Sequence, residues 1–145
     1  MPKICAFCTD PENKERTIMA TDLAWSFPTN IPIVPGHTLI VPTRCVATFA
    51  ELTSEECDAL FVMMRDIQKA LKKAYGAEGF NVAWNEGAVA GQSVPHFHVH
   101  LLPRKEGDTG VHQYDPREFL YRPGSRETSP QKELLAVAGE IRNAL

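Results

Sequence analysis

Three histidines stand at every second position in the stretch GQSVPHFHVHLLPR (91–104). Side chains alternate between the two faces of a β-strand, so we expect His96, His98 and His100 on one face and the apolar residues between them on the other. This alternation has no packing rationale, and adjacent imidazoles resist simultaneous protonation. The pattern favours chemistry over a plain polar strand face, through either a metal site or a nucleophilic imidazole with helper groups.

The residues just before the histidines favour the nucleophile. A catalytic metal usually takes a carboxylate or a cysteine beside its histidines, and the only acidic residue of this region, Glu86, lies in the turn. Gly91, Gln92 and Ser93 offer backbone N–H groups, a carboxamide and a hydroxyl, which together suit an anion such as a phosphate. A neutral imidazole beside a bound phosphate can attack phosphorus and form a covalent phosphohistidine.

The elements expected to position these residues begin with two short strands within 16–30 and a compact apolar strand at His37–Pro42. A long amphipathic helix follows, with Thr53 as N-cap, Glu56 as its capping-box partner and a stop at Gly76. Its apolar residues recur at helical spacing, and the face expected to be buried contains Cys57, Leu60, Phe61, Met64, Ile67, Leu71 and Tyr75.

The second half of the chain predicts a hairpin and a last helix. Gly79–Asn85 alternates as a strand and should pair antiparallel with the strand that carries the histidines. The last helix is expected to have Ser129 as N-cap and Pro130 at its first position. This order predicts an α+β domain with an antiparallel β-sheet, a central amphipathic helix and a C-terminal helix.

Bulk composition narrows the class of function. The 145 residues fit one ordinary domain, and a net charge of −3 offers no basic field for a nucleic-acid polymer. The N-terminus has no apolar run of signal-peptide length, and no stretch approaches the roughly 20 apolar residues of a membrane span. We therefore expect a cytoplasmic protein with no membrane partner, whose four cysteines are thiols or metal ligands.

Five stretches together resemble the histidine triad (HIT) superfamily of nucleotide hydrolases and transferases, in the family's order. They are CAFC (5–8), PGHTLIVPTR (35–44), the central helix, GFNVAWNEG (79–87) and AGQSVPHFHVHLLPR (90–104). The resemblance, which extends to bacterial diadenosine-polyphosphate hydrolases, implies one HIT-like domain over 1–145. It implies action at the α-phosphate of a purine nucleotide conjugate, such as a diadenosine polyphosphate or a nucleoside phosphoramidate. It also implies a homodimer, and no cofactor for catalysis.

The resemblance assigns roles to individual residues. His98 would be the nucleophile that forms a nucleotidyl-histidine, which water then cleaves, while His100 would contact the phosphate oxygens and His37 would orient the triad. The pocket for the phosphate and leaving group would be formed by Asn85, Gly91, Gln92, Ser93 and Val94.

The nucleoside side of the site departs from the family. Eight residues before its equivalent of His37, the family commonly has Asn or Asp to bind the ribose hydroxyls, whereas this chain has Thr29. Asn30 either takes over that role by a one-residue shift or belongs to a plain turn, and an altered nucleoside preference is the third alternative. Phe27 is expected either to line the base pocket or to serve as a core aromatic.

The cysteine spacing indicates a structural zinc site. Cys5 and Cys8 have the two-residue spacing of a zinc knuckle, which is half a site. The resemblance to zinc-binding bacterial members implies Cys45 and His96 as the other two ligands, with Cys45 standing where those proteins have histidine. Ordinary thiols are the alternative, and Cys57 is expected to be a core residue.

Two other functions compete with the hydrolase. A nucleotide-binding regulatory module would keep the pocket but turn over negligibly, and a zinc hydrolase with the triad as ligands would lose activity to chelators. The leaving group lies beyond the α-phosphate, where the Asp108–Arg126 loop could reach, and that loop matches no motif.

Overall fold

A five-stranded antiparallel sheet organises the protein in a computed structural model that describes residues 5–108 and 128–145. Its strand order is β1-β2-β3-β5-β4. The strands are β1 (Met19–Ala20), β2 (Ala24–Pro28), β3 (Thr38–Pro42), β4 (Gly79–Ala83) and β5 (Val99–Arg104). Helices α1 (Ala6–Thr9) and α2 (Pro11–Glu15) precede the sheet, α3 (Ser54–Tyr75) connects β3 to β4, and α4 (Gln131–Ala144) ends the chain. This architecture confirms the predicted α+β class. Residues 109–126 of the Asp108–Arg126 loop lie outside the described residues.

The central helix α3 begins and ends where its local sequence predicts. The Thr53 hydroxyl accepts a hydrogen bond from the Glu56 N–H (3.1 Å), and the Glu56 carboxylate accepts one from the Thr53 N–H (2.9 Å). These two bonds satisfy backbone donors that the first turn leaves without helical partners. At the other end Gly76 adopts φ +66°, a left-handed conformation that stops the helix without steric cost.

The buried face of α3 differs in part from the predicted one. Leu60, Met63 and Ile67 are almost completely buried, whereas Phe61 is 55% exposed. Successive helical residues are rotated by about 100°, so Leu60 and Met63 lie on the same face of α3 and Phe61 lies outside it. The expectation that Phe61 is buried was therefore wrong. Helical spacing showed that α3 has an apolar face, but it did not show which residues lie at the centre of that face.

The histidine strand is shorter at its start than predicted. β5 begins only at Val99, because the Phe97 N–H donates to the Val46 carbonyl (2.6 Å) and the His96 N–H to the Val94 carbonyl (2.8 Å). The alternation of faces nevertheless continues through this irregular segment. Phe97, Val99 and Leu101 lie in the core beneath α3, and the histidines lie on the opposite face of the sheet.

The C-terminal helix α4 begins one residue later than predicted. Pro130 occupies the N-cap position and provides no side-chain cap, so the assignment of Ser129 as N-cap was wrong. The Ser129 N–H instead donates to the Asn30 carbonyl (2.7 Å), which ties the start of α4 to the loop after β2. Leu134, Ala138 and Ile141 bury the helix against the rest of the core. Among the described residues, no helix combines the length and the apolar character needed to span a membrane.

Candidate active site and metal site

The imidazole of His98 is held in one tautomer by the backbone next to it. Its Nδ1 lies 2.7 Å from the His96 carbonyl oxygen. A carbonyl can only accept, so Nδ1 carries the proton and Nε2 keeps its lone pair. Burial lowers the pKa of His98, which is 5% exposed, so the ring is neutral at neutral pH. The arrangement provides a neutral imidazole with a nucleophilic Nε2.

His37 and His100 form a hydrogen-bonded pair whose direction can also be assigned. The Ile33 N–H donates to His37 Nδ1 (3.1 Å), so His37 carries its proton on Nε2. That Nε2 lies 3.0 Å from His100 Nδ1, which must accept. His100 therefore carries its own proton on Nε2, as a donor to a phosphate oxygen requires. His37 is almost completely buried, whereas His100 is half-buried, so the His37 end of this chain of bonds is the one shielded from water.

The loop before β3 positions His37, and it requires a glycine at the preceding residue, Gly36. Gly36 has φ +88°, and a Cβ there would lie 3.0 Å from Pro103 Cγ and 3.1 Å from Leu71 Cδ2. The Thr38 hydroxyl donates to the Gly36 carbonyl (2.8 Å) and fixes the turn. The position of His37 thus depends on a close backbone approach to both β5 and α3.

Hydrogen bonds from the Gln92 side chain stabilise the turn that precedes the histidines. The Gln92 carboxamide oxygen accepts from the Gly87 N–H (2.8 Å), and its nitrogen donates to the Ala47 carbonyl (2.8 Å). Gly87 and Gly91 have φ +82° and +95°, as this tight turn requires. Ser93 is exposed and Val94 is half-buried against the aromatic residues of the histidine face. Asn85, which follows β4, is buried.

Aromatic rings cover the part of the site where the nucleoside is expected, and we call the rings of Phe7, Trp25 and Phe27 the aromatic floor. Phe27 is 1% exposed, and its ring lies beneath Phe7 (5.3 Å between centroids), Trp25 (4.5 Å) and the Arg16 guanidinium (5.7 Å). A base would meet these covering groups before Phe27 itself. The Thr29 hydroxyl, on a buried residue, accepts from the Ile31 N–H (3.3 Å), whereas Asn30 is exposed.

Two residues of this face were missed by sequence reasoning. The Phe7 ring contacts His98 edge to face at 5.1 Å, and the Arg16 guanidinium lies over Phe27. Phe7 stands between the two cysteines of the CxxC pair, which was the only signal in the sequence. Arg16 had none, because its hydrogen-bond partners, Pro28 and Gln131, are not its neighbours in the sequence.

The four predicted metal ligands come together. One ligand atom from each of Cys5, Cys8, Cys45 and His96 lies within 4.8 Å of the others, and His96 Nδ1 is 3.3 Å from Cys5 Sγ and 3.5 Å from Cys8 Sγ. His96 Nε2 lies 2.7 Å from the Pro42 carbonyl, so it carries the proton and leaves the Nδ1 lone pair facing the sulfurs. Three thiols and one imidazole are an accepted tetrahedral set for zinc.

Burial and crowding disfavour the charged thiolate forms of Cys8 and Cys45. Partial burial and the neighbouring Cys5 thiol raise the pKa of Cys45 to about 12, and the same causes raise the pKa of Cys8. Crowded thiolates repel one another, and a bound cation offsets that repulsion. Cys57 lies on α3, half-buried and outside the cluster.

Comparisons with known proteins identify the family of the chain. The HIT domain family model matches residues 10–107. A bis(5'-nucleosyl)-tetraphosphatase (asymmetrical) from Schizosaccharomyces pombe is 38% identical over 108 residues, which cover 74% of this chain but only 59% of that protein. A HIT-like protein involved in cell-cycle regulation from Bartonella henselae superposes with a TM-score of 0.78 at 26% identity, covering 100% of this chain and 98% of that one. A Zn-bound histidine triad family protein from Mycobacterium smegmatis gives 0.67 at 25% identity, with 97% of each chain covered. The chain belongs to the HIT domain family.

Proposed function

We propose that this protein is a nucleotide hydrolase that acts at the α-phosphate of a purine nucleotide conjugate through a nucleotidyl-histidine on His98. The observation that carries the proposal is the tautomer of His98, whose Nδ1 proton is held by the His96 carbonyl and whose Nε2 keeps its lone pair. An intact nucleophile in a braced site favours an enzyme over a pure nucleotide-binding module, since binding alone does not need it.

The chemistry would proceed in two displacements. The Nε2 lone pair attacks the α-phosphorus, and the bond from phosphorus to the leaving oxygen or nitrogen breaks, its electron pair departing with the leaving group, which takes a proton from solvent. Water then attacks phosphorus, and the phosphorus–nitrogen bond returns its pair to Nε2. One proton of that water goes to solvent, and the other stays on the oxygen of the product phosphate. The His100 Nε2–H would stabilise charge on the phosphoryl oxygens, and the turn carrying Gly91, Gln92, Ser93 and Val94 together with Asn85 would position the phosphate and leaving group.

The substrate class follows from the relatives and from the aromatic floor. The Schizosaccharomyces pombe relative is named for hydrolysis of a dinucleoside tetraphosphate, so dinucleoside polyphosphates are the first choice and phosphoramidates the second. The rings around Phe27 suit a stacked base, and exposed Asn30 is proposed to reach the ribose. No catalytic cofactor is required by these steps.

The test is a panel of purified substrates with product identification. We expect diadenosine tetraphosphate or a nucleoside phosphoramidate to release a mononucleotide, and labelled substrate to leave a nucleotidyl group on the protein after an alkaline denaturing quench, in which the phosphorus–nitrogen bond survives. Tight nucleotide binding with turnover no faster than that of His98→Ala would instead make the chain a regulatory binding module. Activity removed at once by a chelator would support a zinc hydrolase.

We further propose a structural zinc ion held by Cys5, Cys8, Cys45 and His96. When bound, zinc would link the segment before α1 to β3 and to the triad segment, without taking part in the displacements. The support is the cluster geometry and the lone pair of His96 Nδ1 that faces the sulfurs. Thiols that form no disulfide are typical of a reducing compartment, and the cytoplasmic location is proposed on that ground. The single domain over 1–145 also stays a prediction from the sequence.

A homodimer is proposed from the edge of the sheet and from exposed apolar side chains beside it. In the described sheet β4 is an edge strand, and Val82 and Trp84 are 44% and 41% exposed on its helix side. Trp84 stacks on Phe49, which is 44% exposed. A second copy pairing along β4 would cover them. Light scattering should give about twice the 16.1 kDa chain mass, and Trp84→Glu should shift it toward the monomer; a monomeric parent would contradict the proposal.

A further inference from the structure

Arg16 is a buried cation with no ion-pair partner among the described residues. Its side chain is 4% exposed, with Nε donating to the Pro28 carbonyl (2.9 Å) and Nη1 to the Gln131 carboxamide oxygen (3.0 Å). Asp10 and Glu12 act on it only at longer range. Buried arginines usually pair with carboxylates because desolvating a lone charge is costly. This cost points to a role in binding.

The guanidinium has hydrogen-bonding capacity left over. It carries five N–H donors, of which two are used by Pro28 and Gln131. Nη2 has no hydrogen-bond partner in the described part of the chain, and no fully buried side-chain nitrogen there lacks a partner, so Nη2 is not completely enclosed. A cation that is held by two bonds and keeps unused donors is organised in advance for an acceptor.

Arg16 also lies on the same face as the nucleophile. Its guanidinium is over the Phe27 ring, Phe27 contacts Phe7, and Phe7 contacts His98. Phe27 in β2 and His98, which directly precedes β5, share this face of the sheet, and β3 lies between β2 and β5. An α-phosphate on His98 would therefore direct its nucleoside across the aromatic floor toward Arg16.

We propose, resting on the proposed function, that Arg16 selects the nucleobase and favours guanine over adenine. The fork of N–H donors matches the adjacent O6 and N7 acceptors of guanine. Adenine has an amino group at the position of guanine O6. That amino group is a donor, so it would face an N–H donor of Arg16 with no acceptor between them. The substrate class of this chain is thus a guanosine-containing conjugate, and Arg16 is a specificity-determining residue.

The test compares diguanosine tetraphosphate with diadenosine tetraphosphate. One bidentate arginine–guanine contact corresponds to roughly a five- to hundredfold preference, which we expect in the parent kcat/KM ratio and mainly in KM. Arg16→Lys keeps the charge but loses the fork, so the ratio should fall to near one. Calorimetry with GMP, IMP and AMP needs no variant: IMP, which keeps O6 and N7, should bind the parent like GMP and more tightly than AMP.

The matched control is Arg142→Lys, the same change at an exposed arginine of α4 whose Nη1 donates to the Thr17 carbonyl. It should leave the base preference unchanged. A parent that prefers adenine, or a ratio that Arg16→Lys leaves unchanged, overturns the inference while the hydrolase proposal stands. If no dinucleotide is turned over, the proposed function fails, and the mononucleotide affinities alone decide the role of Arg16.

Discussion

At the scale of single residues, His96 links the two halves of the candidate site. Its ring offers Nδ1 to the cysteines, while its backbone carbonyl accepts the Nδ1 proton of His98. A shift of this one residue would disturb both the proposed metal site and the nucleophile. The tautomers of His98 and His100 follow from backbone groups at His96 and Ile33, which no spacing in the sequence specifies.

Replacing His98 by Ala should abolish turnover while nucleotide still binds. Loss of a covalent nucleophile removes several orders of magnitude in rate, and the remaining donors of the pocket still contact the phosphate. Single-turnover kinetics and calorimetry on the same preparation measure the two effects. Added imidazole should partly restore activity in His98→Gly, because a small molecule can fill the space. Residual activity of His98→Ala within about tenfold of the parent would contradict the assignment.

At the scale of elements, the sequence predicted best what is decided locally. The limits of α3 depend on Thr53, Glu56 and Gly76, all within the helix or beside it. The start of β5 depends on the Val46 carbonyl, which is about fifty residues away in the sequence. The start of α4 depends on the Asn30 carbonyl, which accepts the N–H of Ser129. Neither contact was predictable from neighbouring residues. The alternation of the histidines placed them on one face correctly, because strand periodicity is also local.

The capping box of α3 should make stability depend on pH. The hydrogen bond from Arg44 (2.7 Å) holds the pKa of Glu56 below its usual range. A carboxylate with a lowered folded pKa stabilises the protein above its unfolded pKa, near 4.3, and that stability is lost as pH falls through the lower folded value. Glu56→Gln keeps an oxygen for the Thr53 N–H but loses the charge that faces Arg44. It should therefore cost roughly 0.2–1 kcal/mol of unfolding free energy at pH 7, and less as pH falls below the unfolded pKa.

Urea unfolding at several pH values measures this difference. Glu55→Gln is the matched control, since Glu55 is exposed on the same turn and makes neither of the capping-box bonds. It should change stability only slightly at any pH. A Glu56→Gln deficit that is equally large at pH 3 and pH 7 would show that packing, and not the ionised carboxylate, is responsible.

At the scale of the whole molecule, the proposed metal joins segments that are distant in the chain. Cys5 and Cys8 precede the sheet, Cys45 follows β3 and His96 precedes β5. Removing zinc should lower the melting temperature more than it lowers the initial activity at room temperature, because the ion holds the segments together while His98 performs the displacement.

Elemental analysis of protein purified without added metal should find about one equivalent of zinc per chain. Cys45→Ser should reduce that content, whereas Cys57→Ser, outside the cluster, should not. Metal-free protein with an unchanged melting curve after chelator treatment would make the cysteines ordinary thiols.

The two tryptophans of the chain lie on opposite faces of the sheet. Trp25 contacts Phe27 on the histidine face, and Trp84 contacts Phe49 and Phe97 on the helix face. Each indole is thus an intrinsic fluorophore for a different event. In Trp84→Phe the remaining emission would report on nucleotide or metal at the site, and in Trp25→Phe it would report on self-association. Ligand binding and assembly can then be titrated separately by light emission, without an added dye.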